Sequence, residues 1–515
     1  MAQDAPSSPF KTVEIADEDA MVRLAEDIAA ILKPGDVIAL SGDLGAGKST
    51  FSRALLRSFA GDPELEVPSP TFTLVQTYDL GRLTISHFDL YRLEEPEELE
   101  ELGLDELAET GAALIEWPER AWDGLPRDHL VMRISHGGEG DQRTVEFLLS
   151  PEAALRWQTR LLRTFRIRGL MTDAGLLASR AFLSGDASYR VYEKLTGPAV
   201  DAILMNAPEA YQLAAPGEAK SYGETVHRAR TVDAFIAMTE ALRQRGLSAP
   251  EILASDRQAG LLILENLGQD GVLTAGRQPI PERYGLAVDL LAELHAADDF
   301  PRELPIASGG SYLIPHYSEE ALLTEADLFL DWYMPYVAGA DRFPADVSPA
   351  EREDYRTLWR NAFAAIADAQ TGWVFRDYHS PNILWQPDRE GTAKIGLIDY
   401  QDCLIGPVAY DLASLLMDAR ADVRAELEES LLAGYISSRK QRDPAFDEGL
   451  FRAAYAVMGA QRIAKILGIF VRLDKQEHKP AYMQHMPRMT RYLDRVLAHP
   501  VLADLHRWFR SSLGG

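Results

Sequence analysis

A phosphate-binding loop is the first feature whose residue types and spacing point to chemistry. It comprises Gly42, Asp43, Leu44, Gly45, Ala46, Gly47, Lys48 and Ser49, with Thr50 directly after it. These residues match the pattern G-x-x-x-x-G-K-[ST]. The preceding residues predict a short buried strand and the following ones a helix, so backbone N–H groups and the helix N-terminus would face phosphate oxygens. In this setting Lys48 would reach the β- and γ-phosphates of a nucleotide, and the Ser49 hydroxyl would bind Mg²⁺.

Two acidic residues follow strand-like runs later in the same region. Asp89 ends the run 83–89 and Glu116 ends the run 112–116. An acid at the carboxyl end of a strand beside a phosphate loop is placed to organise Mg²⁺ or water, and Asp89 is the candidate, with a strand-end cap as the alternative. Glu116 is placed to hold Mg²⁺ indirectly or to position water. The hydroxyl-rich segment 67–75, VPSPTFTLV, fits either an edge strand or a switch-like loop that senses the γ-phosphate.

A second group of chemical residues lies in the C-terminal half. A kinase-type phosphoryl-transfer site needs an acid to accept the hydroxyl proton, an amide oxygen for Mg²⁺ and a carboxylate that bridges metal and phosphates. Asp377, Asn382 and Asp399 fit these roles in that order. His379 is more simply explained by packing beside the loop. Upstream, residues 183–192 predict a strand–turn–strand unit in which the Ser188 hydroxyl is a candidate phosphate donor.

Composition limits the classes of protein to consider. A chain of 515 residues with 46% hydrophobic and 25% charged residues predicts a soluble globular protein of two or three domains. The net charge of −27 argues against broad nonspecific binding to nucleic acid or membranes, but not against a complex whose other members contact RNA. One cysteine, Cys403, fits a reducing compartment, and neither a signal peptide nor a long apolar run is recognisable. We therefore expect a cytoplasmic protein that does not associate with membranes.

The positioning elements follow from the spacing of apolar residues. Helical spacing predicts a helix over 17–32, and eight more over 230–245, 281–297, 318–336, 349–369, 408–419, 423–440, 448–473 and 484–511. Residues 150–170 carry five arginines, which predicts a connecting helix with a solvated face, although contacts with tRNA or a partner remain an alternative. The predicted domains are residues 1–155 and 170–515, joined by a linker over 156–169.

The first domain resembles the TsaE family over about residues 12–150. The segments SGDLGAGKSTFSRALLR, VPSPTFTLVQTYD, HFDLYRL, ELGLDE and LIEWPER carry the resemblance. It implies a P-loop α/β fold and an ATPase required for threonylcarbamoyladenosine modification of tRNA, with a TsaD-like transferase subunit and its TsaB-like paralogue as partners. The phosphate loop would then bind Mg-ATP, with Ser49 and Glu116 as the Mg²⁺ group, Asp89 as a functional acid and Thr71 in a switch-like segment. tRNA would be met indirectly, through the complex.

The second domain resembles the aminoglycoside-phosphotransferase family, and most of all its AmgK-type amino-sugar kinases. The segments GDASYRVY, ILMNAP, LILENLG, FRDYHSPNILW, IGLIDYQD and GPVAYDLASLLMDAR carry this resemblance. It implies a protein-kinase-like α+β fold and ATP-dependent phosphorylation of the anomeric hydroxyl of cell-wall amino sugars. Asp377 would be the base, Asn382 and Asp399 the metal ligands, and Asp411 a brace for the catalytic loop.

Two departures from the family pattern qualify this resemblance. Phe375 stands where many relatives carry histidine. The strand-like run 202–208 has Met205 where a phosphate-binding lysine is expected, so Arg190 or Lys194 would have to supply that charge. The sequence therefore predicts a bifunctional fusion that uses ATP and Mg²⁺. The alternatives are another acceptor, such as choline or an aminoglycoside, or a second domain that senses sugar without catalysis.

Overall fold

The computed structural model describes residues 8–138, 140–183, 190–215, 218–297 and 299–513. The chain divides into two units. The first unit comprises residues 1–206 with 253–265, and the second comprises residues 207–252 with 266–515.

A seven-stranded sheet forms the centre of the first unit. Its strands are β1 (Lys11–Ile15), β2 (Asp36–Ser41), β3 (Val75–Asp79), β4 (Thr84–Asp89), β5 (Ala112–Glu116), β6 (Leu130–His136) and β7 (Arg143–Leu148). The helices of this region are α1 (Glu18–Ala29), α2 (Lys48–Ala60), α3 (Glu98–Glu101), α4 (Leu104–Thr110) and α5 (Pro151–Asp173). The strand order is β1-β7-β6-β2-β5-β4-β3, and β6, β2, β5 and β4 run parallel.

The parallel strands bring the predicted acids to one edge of this sheet. β5 is buried along its whole length and β2 along all but its last residue, as expected for strands covered on both faces. Asp89 and Glu116 are register partners on β4 and β5, and Leu40 of β2 is the partner of Glu116 on its other side. The carboxyl ends of β2, β4 and β5 therefore meet where the phosphate loop leaves β2.

A five-stranded sheet completes the first unit. It contains β8 (Ser179–Phe182), β9 (Val191–Gly197), β10 (Val200–Asn206), β11 (Ile252–Asp256) and β12 (Leu261–Glu265), in the order β11-β12-β10-β9-β8. The C-terminal part of α5 packs on this sheet, because Ile167 and Met171 lie in one apolar cluster with Leu195 and Leu204. The helix predicted over 150–170 is confirmed as α5, and the segment 156–169 is a partly buried part of it. The domain limits remain a prediction.

The second unit is mainly helical. Its helices are α6 (Tyr222–Thr225), α7 (Asp233–Gln244), α8 (Pro281–Leu294), α9 (Glu319–Leu328), α10 (Met334–Val337), α11 (Pro349–Ala364), α12 (Ala409–Leu416), α13 (Ala425–Arg442), α14 (Glu448–Glu477), α15 (Met486–Leu497) and α16 (Ala503–Leu513). Its short strands are β13 (Glu303–Pro305), β14 (Ser311–Leu313), β15 (Thr371–Val374), β16 (Ile383–Trp385), β17 (Ile395–Leu397) and β18 (Leu404–Pro407). They form three antiparallel pairs, β13–β14, β15–β18 and β16–β17.

The helices predicted from apolar spacing are confirmed in this unit, with two corrections. The helix predicted over 318–336 is α9 and α10 joined by a π-helical segment, Phe329–Tyr333. The helix predicted over 484–511 is two helices, α15 and α16, separated by a short 3-10 turn at Pro500–Leu502. Pro500 has no N–H to continue the hydrogen-bond ladder of α15, so the chain turns there.

Helix α14 is long and apolar enough to cross a membrane by length and composition alone. However, 83% of its most apolar 18-residue window is buried inside the protein, as in the core helix of a folded domain. Among the described residues it is the only helix that meets this criterion.

Candidate functional site

The phosphate loop of the first unit connects β2 to α2 and has the backbone shape that its glycines predict. A Cβ at Gly42 would overlap the carbonyl oxygen of Ile134, so only glycine fits there. Gly45 and Gly47 have φ values of +78° and +111°, in the left-handed region that glycine enters without strain. The ammonium group of Lys48 donates to the carbonyl oxygens of Gly42 (2.7 Å) and Asp43 (3.0 Å). The lysine thus lies inside the loop that would hold phosphates.

Glu116 lies at the centre of a buried hydrogen-bond cluster beside this loop. Ser49 Oγ donates to its Oε2 (2.8 Å), Ser52 Oγ donates to its Oε1 (3.0 Å), and His87 Nε2 lies 2.9 Å from Oε1. A hydroxyl and a carboxylate are the hard oxygen ligands that Mg²⁺ prefers. The pair Ser49 and Glu116 therefore fits the Mg²⁺ group that the sequence predicts, and Ser52 and His87 are supporting residues that the sequence reasoning missed.

Asp89 is held by the segment that was predicted to be either an edge strand or a switch-like loop. Ser69 Oγ and Thr71 Oγ1 donate to its Oδ2 at 2.9 and 2.6 Å, and its Oδ1 accepts from the backbone N–H of Tyr91 at 3.1 Å. The edge-strand alternative is wrong for residues 67–74, since β3 begins only at Val75. Asp89 does cap the turn after β4, but the hydrogen bonds that it accepts from the Ser69 and Thr71 hydroxyls also connect it to the segment 67–74.

Two further side chains hold the phosphate loop. Arg143 on β7 donates to the carbonyl oxygen of Ala46 (3.1 Å), and the Lys48 ammonium lies 3.7 Å from the centre of the Trp117 ring. Burial lowers the pKa of Lys48, although Glu116 and other nearby carboxylates partly oppose this. Trp117 belongs to the segment LIEWPER, which carries part of the resemblance to the TsaE family, whereas no local sequence signal marks Arg143.

The second candidate site lies on the loop after β15. Asn382 Nδ2 donates to the backbone carbonyl of Asp377 (3.0 Å) and to Asp399 Oδ2 (3.3 Å). Gln401 Nε2 donates to Asp399 Oδ1 (2.7 Å). The structure thus brings together the three residues that the sequence singled out, and the amide and carboxylate oxygens suit Mg²⁺.

The β16–β17 hairpin explains this convergence. Ile383 and Leu397 are register partners, and the N–H of Ile398 donates to the Asn382 carbonyl (3.1 Å). Asn382 and Asp399 therefore flank the same end of one hairpin. Arg376 and Asp399 have φ values of +67° and +60°, a strained conformation for residues with a Cβ that is often found at functional sites.

Asp411, at the start of α12, braces the loop of Asp377, as the family resemblance implies. Its two carboxylate oxygens accept the backbone N–H groups of Phe375 (2.7 Å) and Arg376 (3.0 Å). The side chain is fully buried, and burial raises its pKa to about 7 despite these two bonds.

The loop of Asp377 is also held by a buried network of charged residues that the sequence reasoning missed. Glu325 on α9 pairs with Arg376 of the loop and with Lys465 on α14 (2.8 Å), and it accepts a hydrogen bond from the Tyr317 hydroxyl. Burial acts to raise the pKa of Glu325, but the charges of Lys465 and Arg376 outweigh it and hold that pKa at about 2. These residues are far apart in the sequence, and the only available signal was the basic face of α14.

The other predicted residues have mixed outcomes. His379 is buried with Nε2 3.7 Å from Asp377 Oδ1, and Met205 on β10 is buried, with no lysine on that strand. The distance from Lys194 Nζ to Asp201 Oδ1 is 3.6 Å, and the Arg190 side chain is mostly buried. Ser188 lies outside the described residues.

Neither site is a cluster of acidic and histidine ligands. In the described part of the chain, no group of three or more His, Cys, Asp or Glu side chains could hold a metal ion. Mg²⁺ in nucleotide sites is commonly held by one or two protein oxygens together with phosphates, which is the donor set that each site offers.

Known protein families match the two parts of the chain separately. The family model "Threonylcarbamoyl adenosine biosynthesis protein TsaE" matches residues 15–145, and the model "Phosphotransferase enzyme family" matches residues 179–450. The TsaE protein of Bacillus subtilis is 40% identical over 139 residues, which cover 27% of this chain and 83% of that protein. The N-acetylmuramate/N-acetylglucosamine kinase of Caulobacter vibrioides is 37% identical over 344 residues, which cover 64% of this chain and 91% of that protein.

The chain belongs to both families. A solved structure, YdiB of Bacillus subtilis, matches with 29% identity and a TM-score of 0.26, covering 31% of this chain and 95% of that one. Membership confirms the predicted fold class, a P-loop α/β part followed by a kinase-like α+β part. It also implies ATP and Mg²⁺ as the nucleotide and metal of both parts. The TsaE-family part contains the phosphate loop, and the phosphotransferase-family part contains the loop of Asp377.

Proposed function

We propose that the chain is a bifunctional enzyme. Its TsaE-family part hydrolyses ATP during threonylcarbamoyladenosine formation in tRNA, and its phosphotransferase-family part phosphorylates the anomeric hydroxyl of an amino sugar. The relatives named TsaE and N-acetylmuramate/N-acetylglucosamine kinase support this pairing. The observation that carries the kinase assignment is the convergence of Asp377, Asn382 and Asp399 on a loop braced by Asp411.

In the kinase reaction, Asp377 is the group that accepts a proton. Burial would raise its pKa, but the nearby charges of His379, Lys465 and Arg462 hold the pKa below its usual value, so the carboxylate is ionised and ready. As the sugar oxygen bonds to the γ-phosphorus, the bond from that phosphorus to the ADP oxygen breaks and the hydroxyl proton moves to Asp377. Asn382 and Asp399 would hold Mg²⁺, which supplies neutralisation of phosphate charge.

In the ATPase reaction, the loop amides and Lys48 bind the phosphates, and Ser49 with Glu116 would hold Mg²⁺. Asp89 is the acid that positions the attacking water or accepts its proton. The hydrogen bonds that it accepts from Ser69 and Thr71 connect this role to the switch-like loop. The partners would be a TsaD-like transferase subunit and its TsaB-like paralogue, with tRNA reached only through that complex. A cytoplasmic location without membrane association remains a prediction.

The kinase assignment is tested by Asp377→Asn in the full chain. Loss of the proton acceptor is expected to lower sugar-dependent ADP release about 10²–10⁴-fold. The matched control is Asp388→Asn, which makes the same change at an exposed turn beside β16 and leaves the rate as in wild type. Unchanged sugar-dependent ADP release in the Asp377 variant would contradict the kinase assignment.

The ATPase assignment is tested by Lys48→Ala, with the exposed Lys33→Ala as its control. Hydrolysis stimulated by the two protein partners is expected to vanish only in the Lys48 variant, because only that change removes charge from the phosphate site. Equal hydrolysis by both variants would contradict the assignment.

A second candidate for the C-terminal part is a sugar sensor that does not catalyse. The buried Met205, on a strand without lysine, favours it. This candidate predicts sugar binding without ADP release in wild type, so the Asp377 experiment separates the two.

A further inference from the structure

One face of α14 carries basic side chains beside the catalytic loop. Arg462, Lys465 and Arg472 recur at helical spacing on this face. Lys465 pairs with Glu325, but Arg462 is only 4% exposed and its Nη1 has no hydrogen-bond partner among the described residues. A buried guanidinium without full pairing is costly, so this wall is suited to a negatively charged ligand.

The segment 222–229 forms the neighbouring wall of the same site. Arg376 Nη1 donates to the Val226 carbonyl (3.0 Å), and the N–H of Ala229 donates to Asp402 Oδ1 (2.6 Å). These bonds connect the segment to the residue before Asp377 and to the loop that follows Asp399. A ligand that presents its hydroxyl to Asp377 therefore lies close to this segment.

Tyr222, on this segment, has one arginine from each wall near its ring. The guanidinium carbons of Arg228, from the segment, and Arg472, from α14, are each 5.6 Å from the centre of its ring. In the described part of the chain neither guanidinium has a carboxylate within ion-pair distance, although acidic residues outnumber basic ones by 79 to 52. Other arginines of this unit do have such partners; Arg356 pairs with Asp327, and Arg452 pairs with Glu429 and Glu448.

We propose that Arg228 and Arg472, both beside the Tyr222 ring, form a subsite for a carboxylate group of the sugar acceptor. This subsite rests on the proposed kinase function and adds a preference for a sugar acid over its neutral analogue. Two planar guanidinium groups match the geometry of one carboxylate. The same charges disfavour cationic acceptors such as choline or an aminoglycoside.

The test compares N-acetylmuramate, which carries a carboxylate, with N-acetylglucosamine, which lacks it. Arg228→Met and Arg472→Met are made in the full chain, with Lys475→Met as the matched control. Lys475 is an exposed lysine on the same helix that pairs with Asp474 (2.9 Å), and its ammonium lies 5.8 Å from the centre of the Tyr336 ring. Two readouts are measured with Mg²⁺: kcat/KM for each sugar, and equilibrium binding of each sugar in the presence of a non-hydrolysable ATP analogue.

Each arginine variant is expected to weaken N-acetylmuramate about 10- to 100-fold in both readouts, since a hydrogen bond to a charged group is lost. N-acetylglucosamine is expected to be unaffected, and Lys475→Met to change neither sugar. Arg472→Lys, which keeps the charge, should restore part of the preference and covers the case in which Arg472→Met fails to fold.

The possible failures are distinguishable. If both sugars are phosphorylated and the arginine variants leave their ratio unchanged, the subsite is wrong and the kinase function stands. If wild type binds N-acetylmuramate through the two arginines but releases no ADP, the kinase function is wrong and the subsite stands. If the variants weaken both sugars equally, the arginines do not recognise the carboxylate, which overturns the proposal.

Discussion

At the scale of single residues, Asp411 holds the loop of Asp377 through two backbone N–H groups. Asp411→Asn keeps one acceptor oxygen but turns an NH₂ group toward the other N–H, which leaves a buried donor unpaired at a cost of about 1–3 kcal/mol. We expect kcat to fall while KM for the sugar changes little, because the loop and not the acceptor pocket is disturbed. Steady-state kinetics of the variant check this, and a rise in KM at constant kcat would contradict it.

The same carboxyl predicts a pH dependence. Burial raises the pKa of Asp411 from its usual value of 3.8 to about 7, so the group is protonated in the folded protein below that pH. A neutral carboxyl accepts hydrogen bonds less strongly than a carboxylate, and kcat should fall as pH drops below about 7. Between these two values the folded state binds a proton that the unfolded state does not, so the contribution of Asp411 to stability decreases as pH rises. The kcat–pH profile of Asp411→Asn should lack this acidic limb, and an unchanged limb would assign it to another group.

The buried Glu325 neutralises two positive charges, those of Arg376 on the loop after β15 and of Lys465 on α14. Glu325→Gln leaves the buried Arg376 and Lys465 without their shared carboxylate, and breaking such a pair costs about 3–5 kcal/mol. Thermal unfolding should begin at a markedly lower temperature than in wild type. Glu320→Gln, on the exposed face of the same helix, is the control and should change little. Equal midpoints for the two variants would show that the network carries no net stability.

At this scale the sequence predicted which functional residues come together where those residues lie close in the chain or at the ends of neighbouring strands. The order of Asp377, Asn382 and Asp399 predicted their convergence, and the strand ends predicted that Glu116 would lie near Ser49. Glu325 could not be predicted, because it reaches Arg376 and Lys465 only when α9 packs against the loop after β15 and against α14.

At the scale of elements, two glycines in long helices have opposite expected roles. A Cβ at Gly468 in α14 would overlap the Leu328 carbonyl at the end of α9, whereas a Cβ at Gly434 in α13 would meet nothing within 4 Å. Gly468→Ala should therefore destabilise by about 1–3 kcal/mol through overpacking, and Gly434→Ala should stabilise by up to about 1 kcal/mol through helix propensity. The midpoints of thermal unfolding of the two variants test this, and a shift in the same direction for both would contradict it.

Helix periodicity predicted most elements of the second unit but not how they end. The break at Pro500 was present in the sequence as a proline signal, yet apolar spacing on both sides suggested one helix. In the first unit, the strand–loop–helix pattern around Lys48 predicted β2 and α2 well, since burial and glycine placement agree there. The segment 67–74 was ambiguous because its hydroxyls fit either a strand face or a loop, and only their bonds to Asp89 distinguish the two.

At the scale of the whole molecule, α5 belongs to the folded body of the first unit. Arg160 pairs with Asp36 of β2, Arg163 donates to Asn206 of β10, and Ile167 and Met171 cover the five-stranded sheet. The sequence predicted a connecting helix with a solvated face here, because arginine-rich stretches are usually solvated. It could not show that these arginines have carboxylate and amide partners along the helix.

This packing predicts the behaviour of fragments. A fragment of residues 151–515 keeps α5 over the five-stranded sheet, whereas one of residues 174–515 exposes the apolar surface that Ile167 and Met171 cover. We expect limited proteolysis to cut within residues 179–206 more slowly in the longer fragment than in the shorter one. Equal resistance of both fragments would show that α5 is dispensable for this sheet.

The central claim is that one chain contains two separate phosphate-handling sites, of which the one at Asp377 phosphorylates a sugar. Phosphorus NMR of the full chain with Mg-ATP and N-acetylmuramate tests it most directly, because an anomeric phosphate is observed as a product. Wild type and Lys48→Ala should both form this product, and Asp377→Asn should form it about 10²–10⁴-fold more slowly. Product formed at the wild-type rate by Asp377→Asn, or lost in Lys48→Ala, would contradict the account.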